Sequence, residues 1–154
     1  IAGVNSHSEE YYRNFIGEKN NVKLIYDNTY SILNNAHCAV VTSGTATLET
    51  ALFNVPEVVC YKANALSFLA AKYLVKIQYI SLVNIILKEG AVVELLQDKW
   101  NENCLEKEFK KICFDETYRE QMQYLFNKLK NILGDSGASP SIVQSIIENL
   151  NNKK

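Results

Sequence analysis

A chain of 154 residues with 47% apolar and 21% charged side chains has the balance of a folded globular domain and enough length for its own core. Sixteen Lys and Arg against seventeen Asp and Glu leave a net charge of −1, so no basic field exists to drive nucleic-acid binding by counterion release. Only Arg13 and Arg119 carry guanidinium groups for bidentate phosphate or base readout, and nucleic acid is not an expected partner.

Cys38, Cys60, Cys104 and Cys113 form no CxxC pair, and no His stands at metal-ligand spacing from them. That pattern argues against a disulfide scaffold and against a zinc site. Cys38 and Cys60 fall inside apolar runs, where a free cysteine behaves as a small buried hydrophobe, and the expected environment is reducing and cytosolic. The long apolar stretch over 65–87 is interrupted by Lys72, Lys76 and Gln78, so it does not read as a spanning helix.

The opening IAGV has no initiator Met and reads as the end of a strand in a fragment or excised domain. Ser8 then caps a helix with Glu9 and Glu10 in its first turn and Gly17 as its stop. VKLIY (22–26) reads as a buried strand, Thr29 as the cap of a short helix through Asn35, and CAVVTS (38–43) as the next strand. Residues 44–53 read as a helix with Leu48, Ala51 and Leu52 on one face; Pro56 follows, then the strand VVCY (58–61). A helix over 65–75 and a last short strand YISL (79–82) complete an alternation of about twenty residues per unit. This predicts an α/β fold, a Rossmann-like parallel sheet flanked by helices.

From Val92 the pattern turns helical, first in VVELLQ, then in CLEKEFKKIC and DETYREQMQYLFNKLKNILG. In the last of these Tyr118, Met122, Leu125 and Leu129 make one stripe, ending at Gly134. A loop over 134–139 leads to a final helix, 139–150, with Ser139 as cap and Pro140 in its first turn. Its apolar face of Ile142, Val143, Ile146, Ile147 and Leu150 must fold back on the chain or bury itself in a second copy, so a homodimer stays open. The expected organisation is a Rossmann-like region over 1–97 followed by C-terminal helices over 98–154.

The chemically informative segment is TSGTATLETALFNVP (42–56). Small residues join a strand directly to a helix there, and the unpaired N–H groups of that helix, backed by its dipole, suit a phosphate. Gly44 allows close approach, the hydroxyls of Ser43, Thr45 and Thr47 are available donors, and Glu49 lies one turn in, placed to accept from sugar hydroxyls. Ser43 or Thr45 as an ordinary cap, with Glu49 as a solvated helix acid, explains the same residues equally well. No GxSxG elbow is present, and His7 and His37 lack an acid–nucleophile context and read as surface or strand-edge residues.

SGTATLE, PEVVCYK (56–62), AKYLVK (71–76), YISLVNII (79–86) and VVELLQ (92–97), in that order, resemble the C-terminal part of the lipid-A-disaccharide synthase family. The resemblance implies one half of a GT-B glycosyltransferase, the half that holds the UDP of a diacylglucosamine donor. The implied reaction moves 2,3-diacylglucosamine from UDP to 2,3-diacylglucosamine 1-phosphate, forms the β-1,6 disaccharide of lipid A and releases UDP. It also implies that Ser43, Gly44 and Thr45 face the phosphates, that Glu49 contacts the ribose, that Asn84 lines the nucleotide pocket and that Gln97 stands at its rim. Two departures stand out: Val83 replaces a usual Pro, which should loosen the loop presenting Asn84, and Glu57 replaces a usual apolar residue.

Nothing here matches the Gly-Ser-Arg loop that the resemblance implies ahead of this region, and the acidic base and acceptor site belong to an N-terminal domain. No catalytic residue is therefore assigned in this chain, which is not expected to act alone. No metal or other cofactor is expected, the UDP-sugar being a substrate. The implied location is cytoplasmic, peripheral to the inner membrane of a Gram-negative bacterium, with Lys72 and Lys76 available to anionic lipid. A UDP-sugar 2-epimerase of the same fold and a non-catalytic nucleotide-binding module are the competing readings.

Overall fold

The computed structural model describes residues 1–42, 44–62 and 78–134. Strands β1 (Ala2–Gly3) and β2 (Ile25–Tyr26) pair in parallel and are joined through α1 (Glu9–Ile16). Helix α1 starts where Ser8 accepts the Tyr11 N–H, carries Glu9 and Glu10 at its positive end, and stops at Gly17 with φ 64°. The strand expected over 22–26 shortens to two residues and is not fully buried: Ile25 is 38% exposed and Tyr26 half-buried. Its one ladder among the described residues is with β1. Helix α2 (Thr29–Asn35) follows, but Thr29 is its first residue, and Asn28 holds the cap position without a side-chain cap bond.

Strands β3 (Ala39–Thr42), β4 (Glu57–Tyr61) and β5 (Val93–Leu96) form a second parallel sheet in the order β3-β4-β5, with Thr42 opposite Cys60 and Cys60 opposite Leu95. Helix α3 (Thr45–Leu52) makes the crossover from β3 to β4. Its inward face is Thr47, Thr50 and Ala51 with Leu48 packed against the core beside them, as expected for Leu48 and Ala51, whereas Leu52 is 39% exposed. Two buried threonines are tolerable because their hydroxyls donate to the carbonyls of Gly44 and Ala46, each at 2.8 Å.

The expected strand over 79–82 does not form, its residues leading instead into a helix, and the helical reading of 92–97 gives way to a strand. Ser81 accepts the Asn84 N–H and caps α4 (Leu82–Leu87), while Val93–Leu96 is the strand β5. Beyond a short 3-10 turn (Gln97–Lys99), α5 (Glu102–Phe114) packs on β4 and β5, and α6 (Glu116–Leu133) packs on α3, α4 and α5. Asn101 and Asp115 cap these helices by accepting the Cys104 and Tyr118 N–H groups.

One buried cluster results, in which Val58 and Val59 of the sheet meet Val83, Leu87, Leu95, Ile112, Met122, Phe126 and Leu129. The helices over 102–133 thus close the core of the sheet. The helices expected over 65–75 and 139–150, with Lys72 and Lys76, the loop from 135 to 139, and Ser43 lie outside the described residues. Among the described residues no helix is long and apolar enough to cross a membrane.

Candidate functional site

Parallel strands end at one edge, and there the chain passes from Thr42 of β3 into α3. Gly44 stands at the cap position of α3 with φ 146° and ψ −163°, a conformation that side-chain-bearing residues rarely adopt. A Cβ at Gly44 would meet nothing within 4 Å, so the glycine serves the backbone path and leaves open space before it. Among the described residues no side chain caps α3, and Gly44, Thr45 and Ala46 are exposed. The first N–H groups of a helix lack intrahelical partners, so this end offers donors and a positive dipole to an anion.

Thr47, expected among the donors, is fully buried and its hydroxyl is engaged by the Gly44 carbonyl. Glu49, one turn along, is half-buried and shares an open cleft of about 370 Å³ with Asp27, Asn28, Thr29 and Tyr30. These four residues follow β2, at the carboxyl edge of the smaller sheet. Asp27, at φ 52°, accepts both its bonds from the Asn5 amide, at 2.7 and 2.8 Å, and this ties the end of β2 to the residues after β1. Sequence reasoning missed this wall of the cleft. The signal available was the Asp27-Asn28-Thr29 turn chemistry just after a strand.

Gln97 follows β5 at the same edge as Gly44, two inter-strand spacings away, or about 10 Å. It is half-buried, at φ 50°, and its carbonyl accepts the Trp100 N–H. Asn84 is not brought to this edge. Its amide is buried and makes four bonds: Nδ2 donates to the Val92 carbonyl and to Glu94 Oε1, and Oδ1 accepts the Ala91 and Val92 N–H groups. These fix the opposite, amino-terminal end of β5. Every donor and acceptor of the side-chain amide is engaged, which leaves Asn84 a positioning part.

The loosening expected from Val83 does not occur. Val83 is fully buried in the core, and Glu94 accepts the Ile80 and Ser81 N–H groups at 2.9 Å, so the segment is pinned on both sides. Among the described residues no three His, Cys, Asp or Glu side chains gather as a metal site.

The model of the lipid-A-disaccharide synthetase family matches residues 4–140. The chain belongs to that family. It is 37% identical to the lipid-A-disaccharide synthase of Nitrosococcus oceani over 123 residues, which cover 80% of this chain and 32% of the relative. It is 40% identical to the synthase of Acinetobacter baylyi over 116 residues, 75% of this chain and 29% of the relative. The synthase of Geobacter sulfurreducens is 30% identical over 129 residues, 84% of this chain and 34% of the relative. The chain thus spans about a third of the length of the curated relatives it matches. For the lipid-A-disaccharide synthetase family, the match includes both the Gly44 turn and the helices that close the core.

Proposed function

We propose that this chain is the donor-nucleotide-binding part of a lipid-A-disaccharide synthase. In this reading the whole enzyme transfers 2,3-diacylglucosamine from its UDP derivative to 2,3-diacylglucosamine 1-phosphate, with inversion to the β-1,6 disaccharide and release of UDP. The observation that carries it is the open Gly44 end of α3 beside the Glu49 cleft, in a chain of this family. Ser43, Gly44 and Thr45 would meet the pyrophosphate, Glu49 the ribose hydroxyls, and Gln97 the rim, while Asn84 holds β5 in place behind them.

The acceptor 6-hydroxyl would displace UDP at the anomeric carbon, its proton taken by a base elsewhere in the enzyme. The contribution of this part is electrostatic: helix N–H groups stabilise the negative charge that grows on the departing nucleotide. The chain alone is then inactive and binds UDP weakly, since none of its residues matches a pyrophosphate-binding Gly-Ser-Arg loop. Acylated donor and acceptor would bring the whole enzyme to the cytoplasmic face of the inner membrane.

Titrating UDP into the isotopically labelled chain should shift the amides of Gly44, Thr45 and Glu49 and those of residues 27–30. Shifts confined to other residues would overturn the assignment.

A further inference from the structure

Cys38 and Cys113 are 75 residues apart in sequence, yet their sulfur atoms lie 3.1 Å apart. Cys38 immediately precedes β3, and Cys113 stands in the last turn of α5. Three further bonds fix the neighbourhood. His37 Nε2 is 2.9 Å from the Cys113 carbonyl, and Arg119 donates to the carbonyls of His37 and Ile112 at 3.0 and 2.5 Å. Both thiols are partly exposed, whereas Cys60 is buried, and Cys104 sits nine residues back along α5, about 13 Å away.

We propose that Cys38 and Cys113 are a reversible redox pair, closed to a disulfide by a small-molecule disulfide of the glutathione class. A disulfide needs sulfur atoms about 2.05 Å apart, so the sulfurs must approach by about 1 Å, within reach of side-chain rotation. The order of events follows from the two thiols. Burial first, then the hydrogen bond to Cys113, pushes the Cys38 thiol up to about 12, so in the reduced pair Cys38 is the weaker nucleophile. Cys113 is the attacking group.

Its thiolate displaces one glutathione thiolate from oxidised glutathione and leaves Cys113 in a mixed disulfide. Cys38, no longer beside a free Cys113 thiol, then gives up its proton, attacks the Cys113 sulfur as the thiolate and expels the second glutathione. Two protein thiols are oxidised, one glutathione disulfide is reduced to two glutathiones, and the two protein protons pass to the released thiolates. The bond ties the start of β3 to the end of α5 and closes a loop of 75 residues. It lies at the amino-terminal edge of the sheet, about 13 Å along β3 from Thr42, so it does not depend on the nucleotide reading and leaves that edge open.

Incubating the folded chain with oxidised glutathione, alkylating the remaining thiols and digesting without reductant tests the pair. The expected product is a single linked peptide joining Cys38 to Cys113, reversed by dithiothreitol. An upward shift of the melting temperature on the order of 10 °C should accompany it. The Cys38→Ser chain should stop at the mixed disulfide on Cys113, and the Cys104→Ser chain should still form the link. An unlinked pair after treatment that fully oxidises the urea-unfolded chain overturns the proposal. So does a parent chain that stops at mixed disulfides, or a link through Cys104 instead.

Discussion

Glu57 is a carboxylic acid with no exposed surface and, among the described residues, no partner for either oxygen, at the first position of β4. Its backbone N–H donates to the Met122 sulfur at 3.3 Å, so α6 lies directly over it. Burial pushes the carboxyl well above its ordinary range and favours the neutral acid. In the unfolded chain the same group loses its proton near the usual glutamate value, about 4.3. Between that pH and the raised folded value the native state holds the extra proton. Stability is therefore greatest at the acid end and falls as pH rises, by up to about 1.4 kcal/mol per pH unit.

Urea unfolding from about pH 5 to about pH 8 should show this slope in the parent chain and a flatter one in Glu57→Gln. Glu57→Leu should gain about 1–3 kcal/mol at neutral pH. Parallel pH profiles would refute the account. None of this burial is visible locally, because a strand's first residue usually sits at a rim, and the covering Met122 lies 65 residues away. Gly44 is the opposite case: its strand–glycine–helix setting was readable, and Gly44→Ala should cost roughly 1–3 kcal/mol through backbone strain alone.

At the level of elements, the α1 cap and the β3–α3–β4 unit were legible because each carries its own punctuation: Ser8 and Gly17, then Gly44 and Pro56. The segments 79–87 and 92–97 show where that ends. LVNIIL and VVELL are both short apolar runs, and periodicity does not separate a buried helix from a buried strand at that length. Asn84 links the two: its backbone N–H donates to the Ser81 hydroxyl that caps the helix, and its side-chain amide holds the residues that enter β5. Asn84→Ala would strand the Val92 carbonyl and N–H and leave the Ala91 N–H only the Glu89 carbonyl, at a cost of about 2–4 kcal/mol. It should also speed hydrogen exchange at the Ala91 and Val92 amides. A loss below about 1 kcal/mol would mean that water replaces the amide and that β5 needs no such anchor.

For the whole molecule the question is whether residues beyond 97 complete the sheet or merely follow it. The heptad-like stripe on α6 was readable, but its destination was not, because a stripe records that a face is buried and not against what. Phe126 and Leu129 have no exposed surface, and Met122 and Ile112 almost none; all four share one cluster with Val58, Val59 and Leu95. Removing 98–154 would bare that side of β4 and β5, leaving a parallel sheet with one face uncovered, an arrangement such sheets do not sustain. The truncated chain is expected to lose cooperative thermal unfolding and to aggregate. Phe126→Ala tests the same contact without deleting anything: about 3–5 kcal/mol should be lost, against under about 0.5 kcal/mol for Tyr124→Ala on the same helix, where the side chain is 71% exposed. Equal effects from the two substitutions, or a soluble 1–97 chain melting cooperatively near the parent's midpoint, would make the helices an appendage rather than half of the core.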